Sequence, residues 1–130
     1  MGAPAAVTGD QITATCAVHQ VPGPTGTPIP SPAPLPFAAP LTTGLAATVL
    51  VGGRPVAVAG SAGLNTPPHV GLHVSDPFMV PAAQQGQVVA GSATVLAEGR
   101  GVAYSGCQVT GCAQLPGLLT GSAATVLVGP

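Results

Sequence analysis

Apolar positions in this chain fall in short runs, each closed off by glycine or proline. Three of the runs open alike: Thr48-Val49-Leu50, Thr94-Val95-Leu96 and Thr125-Val126-Leu127. Each follows a turn of small residues, "GLAA", "GSA" or "GSAA". Apolar and β-branched residues held between turn formers predict strands. The first two runs continue through "GGR" or "EGR" into a second strand, "PVAVAGS" (55–61) and "GVAYSGC" (101–107), whereas the third stops at Pro130. Its missing half stands at the other end of the chain. "PAAVTGD" (4–10) matches the two second strands position for position, Pro4 with Pro55 and Gly101, Gly9 with Gly60 and Gly106. Copies at intervals of 46 and 31 residues are the mark of a repeat architecture with insertions between its units. A unit split between the two ends predicts that they meet in space and close a ring of three pseudo-equivalent hairpins. Such a ring leaves few open sheet edges.

Three excursions separate the units: 11–40, with eight prolines from Pro22 to Pro40, then 62–85 and the short 108–117. Proline and glycine recur too often in them for a helix. The first is expected as an ordered, extended loop wrapped around the outside of the ring. The fold expected is one all-β domain over 1–130, three hairpin repeats with long Pro/Gly-rich loops. Glycine (19) and proline (16) approach the abundance of low-complexity chains, but 46% hydrophobic and 4% charged residues are the reverse of a disordered composition.

Charge and hydropathy narrow the function classes. The most apolar region, 41–64, is broken by Gly44, Gly52, Gly53, Arg54, Pro55 and Gly60, whereas a spanning helix needs about 20 consecutive apolar residues. The N-terminus has no basic segment ahead of an apolar core, and Ala6 stands where a myristoylation signal has Ser or Thr. Synthesis in the cytoplasm is expected, without signal peptide or transmembrane segment. Arg54 and Arg100 are the only basic residues besides histidine, which argues against nucleic acid as a partner, since phosphate binding needs a basic patch. So few charges leave little to keep a monomer soluble, so a partner is expected to cover part of the surface.

All three cysteines and all three histidines lie in the excursions or at their edges: Cys16 and His19, His69 and His73, Cys107 and Cys112. If the ring brings the excursions together at one end, Cys and His from several loops form a tetrahedral, structural zinc site. Such a site turns binding energy into folding energy. Catalysis has little support. "HVSD" (73–76) holds Ser, His and Asp as sequence neighbours, but a triad is defined by geometry, and Asp76-Pro77 reads as a turn starter. The three carboxylates, Asp10, Asp76 and Glu98, are widely separated. A non-enzymatic protein is expected.

"TVLVGG" followed by Pro-Ala-Ala-x-x-Gly-Asp resembles the PAAR-repeat family, the spike tips of contractile injection machines such as type VI secretion systems and phage-like extracellular particles. The copies here read Pro4-Ala5-Ala6-Val7, Pro55-Val56-Ala57-Val58 and Gly101-Val102-Ala103-Tyr104; arginine is absent from all three, and the aspartate is kept only as Asp10. The resemblance covers nearly the whole chain, most firmly 44–61, 87–107 and 118–130. It implies a small cone of β-hairpins with pseudo-threefold symmetry, one zinc near the apex, and a base that one monomer sets on a trimeric β-helical spike protein. It further implies assembly into a particle delivered outside the producing cell or into a target, transient contact with the target membrane, and possible non-covalent effector cargo. The family's three-His, one-Cys set implies His19, His69, His73 and Cys112 as ligands. Cys16 stands as a rival, and Cys107 takes the repeat's aspartate position. Histidine and cysteine suit zinc best and also admit iron. The other reading of the same residues is a non-catalytic, zinc-stapled β module of another surface or capsid assembly.

Overall fold

The computed structural model describes residues 2–16, 19–30, 35–111 and 115–129. Strands are numbered in chain order. Cys112 lies outside the described residues. Within them the chain is antiparallel β, and the one helical element is a 3-10 turn at Pro81–Ala83.

The three repeats form three equivalent hairpins. Strand β6 (Ala46–Val51) pairs with β7 (Arg54–Val56), β10 (Leu96–Ala97) with β11 (Arg100–Gly101), and β14 (Ala123–Val128) with β1 (Ala3–Ala5). The first and last segments of the chain therefore build one hairpin together, as their sequences predict. Even the register repeats: Leu50 faces Pro55, Leu96 faces Gly101, and Leu127 faces Pro4. The two hairpin turns within the chain are also alike. Gly52-Gly53 and Glu98-Gly99 all take positive φ, 59° and 81° in one, 51° and 78° in the other, the type I′ geometry that matches strand twist. Glu98 is a non-glycine residue in this conformation, and its carboxylate spans to the next hairpin, accepting from Thr48 N at 2.9 Å and Thr48 Oγ1 at 2.5 Å.

Backbone hydrogen bonds close the ring. Ala6 N donates to Ala103 O, Ala103 N to Ala57 O, and Ala57 N to Ala6 O, at 3.0, 2.8 and 2.9 Å. These are matched positions of the three copies, each donating to the next, and such a cycle can close only around a common axis. A second cycle runs Thr8 N to Pro55 O, Ala59 N to Gly101 O and Ser105 N to Pro4 O. The three alanines are fully buried; at an axis shared by three segments of the chain, nothing larger than a methyl group fits without displacing a neighbour. Arg54 and Arg100 brace adjacent units, Arg54 donating to Ser122 Oγ (3.0 Å) and Thr8 O (3.4 Å), Arg100 to Gly44 O (3.1 Å).

After each second strand the chain turns at Gly9, Gly60 or Gly106, with φ of 88°, 94° and 89°, a conformation that favours glycine. The next residue caps the turn in two copies: Val7 N donates to Asp10 Oδ2 and Val58 N to Ser61 Oγ, both at 2.9 Å. Cys107 holds the corresponding place in the third copy, its N–H donating to Tyr104 O. The chain then leaves the ring along β2 (Gln11–Cys16), β8 (Ala62–Leu64) or β12 (Gln108–Thr110), and returns along β5 (Leu35–Pro40), β9 (Gln85–Ala90) or β13 (Leu118–Leu119).

These six strands make two sheets, β13-β2-β5 and β12-β9-β8. They are linked by the Thr110–Pro116 and Thr43–Ala62 bridges and by the bond from Thr66 N to Ala38 O. Inside lie Ile12, Cys16, Phe37, Ala39, Val88, Val109 and Leu119. The excursion 11–40 thus departs from the outer loop expected of it: its ends are strands that build the core. Pro36 and Pro40 fit because β5 is last in its sheet order, where a missing N–H leaves no ladder bond unmade. The middle of this excursion carries a further hairpin, β3 (Gln20–Pro22) with β4 (Pro28–Pro30).

Candidate metal centre

Strand β2 runs six residues from the ring, roughly 20 Å at about 3.4 Å per residue, and ends at Cys16. Its alternation buries Ile12 and Cys16, so strand geometry alone turns the Cys16 side chain inward. His19 follows, and the loop after β8 brings His69 against it. Cys16, His19 and His69 are all buried, and their ligand atoms lie within 4.8 Å of one another. Among the described residues this group can hold a metal ion.

The two imidazoles meet nitrogen to nitrogen, His19 Nε2 and His69 Nδ1 standing 3.0 Å apart. Their other nitrogens are engaged on the far sides. His19 Nδ1 lies 3.0 Å from Asp76 Oδ2, and His69 Nε2 faces Pro36 O. A carboxylate and a carbonyl can only accept, so both outward nitrogens must carry protons. In neutral rings the two facing nitrogens are then bare, and two lone pairs cannot share a 3.0 Å contact. The arrangement needs either an extra proton or a cation between them. Metal-bound histidines commonly hold this pattern, the non-ligating N–H given to a carboxylate or a backbone carbonyl. Tetrahedral zinc at about 2.0–2.1 Å from each nitrogen spaces its ligands about 3.3 Å apart, within a few tenths of an ångström of the distance present. A cysteine sulfur with two imidazoles suits zinc, with iron also possible.

The surrounding hydrogen bonds hold the site rigid. Asp76 Oδ2 also accepts from Gln20 N (2.8 Å), and Oδ1 from Phe78 N (2.7 Å). Burial pushes the Asp76 carboxyl up, but the N–H groups of Gln20 and Phe78, with the bond and charge of His19, more than offset it and leave it below its ordinary value. The fully buried Gln84 grips His69 on both sides, accepting from His69 N (2.7 Å) and donating to His69 O (3.0 Å). Asn65 Nδ2 donates to the same Gln84 oxygen (3.0 Å). A hollow of about 160 Å³, lined by Pro36, Ala38, Pro67 and Pro68 among others, borders His69.

Of the ligands that the family resemblance implies, the structure brings His19 and His69 together, with Cys16 beside them. His73 is placed elsewhere. Its Nε2 lies 3.0 Å from Gly26 O, while its Nδ1 accepts from Ser75 N (3.1 Å) and lies 2.8 Å from Ser75 Oγ. Four residues beyond His69, it clasps the β3–β4 hairpin instead. The "HVSD" stretch divides likewise, His73 with Ser75 and Asp76 with His19. Cys107 shares the core with Cys16 at the ring end of its arm but does not join this group. Asp76, which the sequence marks only as a turn starter, and Gln84, which it does not mark, hold the two histidines; the turn character of Asp-Pro hides the contact that Asp76 makes with His19, 57 residues away.

The chain matches no family model, no curated protein and no solved structure.

Proposed function

We propose that this protein is a spike tip of the PAAR type, a non-enzymatic, metal-stapled point that one monomer sets on a trimeric β-helical spike protein. One observation carries the reading. Leu50, Leu96 and Leu127 are exposed to nearly the same degree, 58%, 61% and 62%, and so are Val49, Val95 and Val126, 36%, 39% and 38%. These are matched positions of three hairpins around one axis. Exposed apolar side chains repeated in this way favour a partner that presents the same surface three times, a homotrimer. Each hairpin also offers an apolar strand, on a chain whose charges are too few to keep such a face in water.

In this reading the hairpin ring is the base. The arms lead away from it to the Cys16–His19–His69 centre, where zinc would pin converging loops into a stiff point for crossing a target membrane. Effector cargo, where carried, would dock non-covalently. The test is stoichiometry: a trimeric β-helical spike protein mixed with this chain and weighed by light scattering should hold one copy per trimer, and Leu96→Asp should abolish the complex. Self-association of the chain into trimers or lattices, with no spike bound, would favour the zinc-stapled module of a surface or capsid assembly instead.

A further inference from the structure

The Asp76 carboxylate does more than start a turn. It is buried, and its Oδ2 accepts from two successive residues of another excursion, His19 Nδ1 at 3.0 Å and Gln20 N at 2.8 Å. The neighbours of Asp76 reinforce the same grip: His73 N donates to Gln20 O (2.8 Å), Ser75 Oγ donates to Gln20 Oε1 (2.8 Å), and His73 Nε2 reaches Gly26 O (3.0 Å). The loop 73–76 is thus stitched to the first residue of β3 and to the β3–β4 turn, and the stitching starts beside His19.

We propose that Asp76 is a positioning residue that fixes the His19 ring with Nδ1 protonated and Nε2 facing His69, and that it couples the order of hairpin β3–β4 to that site. The proposal rests on the metal-centre reading for its functional meaning, though the ring orientation is a property of the chain itself. An acceptor that cannot donate permits only the Nδ1–H form of a neutral imidazole, which leaves the Nε2 lone pair for a metal. Because the same oxygen holds Gln20 N, a displaced His19 also releases the start of β3.

The test uses the full chain as wild type, Asp76→Asn and His73→Ala. Zn²⁺ affinity is measured by chelator competition, histidine tautomers by ¹⁵N spectra of the metal-free protein, and hairpin order by amide exchange at Gln20 and Val21. Asp76→Asn should bind Zn²⁺ about 10–100-fold more weakly, the usual effect of losing such a partner. It should also lose the Nδ1–H preference of His19 and exchange Gln20 faster. His73→Ala removes the contact to Gly26 but leaves the Asp76 bonds to His19 and Gln20 in place, so Gln20 exchange and Zn²⁺ affinity should stay near wild type; a loss of affinity as large as in Asp76→Asn would overturn the assignment to the carboxylate. Wild-type affinity in Asp76→Asn would overturn the proposal. If the wild type binds no Zn²⁺, the metal-centre reading fails, and the nitrogen spectrum alone decides: Nδ1–H on His19 in the wild type upholds the positioning role, and Nε2–H overturns it. The wild-type spectrum also decides should Asp76→Asn not fold.

Discussion

A single contact, the 3.0 Å approach of His19 Nε2 to His69 Nδ1, sets the chemistry of this protein at the residue scale. His69→Ala and Cys16→Ser each remove one candidate ligand and should lower metal content and melting temperature together. In both variants the melting temperature should stop responding to added Zn²⁺. Cys107 is the contrasting cysteine. Burial pushes its thiol above the ordinary range, only partly opposed by backbone hydrogen bonds, so little of it is thiolate at neutral pH. Iodoacetamide should modify Cys107 of the folded protein at least about tenfold more slowly than an exposed cysteine, read by peptide mass spectrometry; equal rates would show that it is not enclosed. The residue types at the site were legible in the sequence, because Cys and His cluster in the excursions. Their grouping was legible only in part. His73 is as near to His69 in sequence as a chelating pair requires, yet Gly71 with φ of 74° lies between them, and His73 is bonded to Ser75 and Gly26 instead.

Hairpins and arms are the next scale, and here repeats predict better than periodicity does. The three Thr-Val-Leu runs and the split third unit could be read directly, because matched turns impose matched residues. Strands β2 and β5 were hidden, since the prolines of 11–40 suggest extended loop and only the Ile12, Ala14, Cys16 alternation marks a strand. The axis between the hairpins should tolerate no added volume: Ala57→Leu inserts three carbons where Ala6, Ala57 and Ala103 meet, and should cost about 1–3 kcal/mol or more by overpacking, read by denaturant unfolding. Glu98 links two hairpins from an exposed position. Its hydrogen bonds from Thr48, side chain first and backbone second, hold its carboxyl below the ordinary value against a small opposing effect of burial. A depressed native pKa contributes stability above the ordinary glutamate range, and that contribution fades as pH falls through the native value. Glu98→Gln should therefore melt below the wild type at neutral pH, and the gap should close on acidification; a gap independent of pH would remove the carboxylate from the explanation.

At the scale of the whole molecule, three hairpins close a circuit, and the arms that leave it carry at their far end a group that could hold a metal. The ring was legible because one repeat lacks its second half and the other end of the chain supplies it; the pairing of Pro4 with Leu127 reports the same closure. A ring with adjacent ends should survive being opened elsewhere: joining the two ends by a short linker and cutting between Gly52 and Gly53 should give a folded permutant with unchanged metal content. The closed six-strand body beneath the ring was not legible, since it depends on which arm pairs with which, and no local pattern records that. The most direct measurement is elemental mass spectrometry of the full chain, purified without metal-affinity resin. One metal ion per chain is expected, zinc before iron, with none in His69→Ala. Folded, reduced wild-type protein without metal would contradict that expectation.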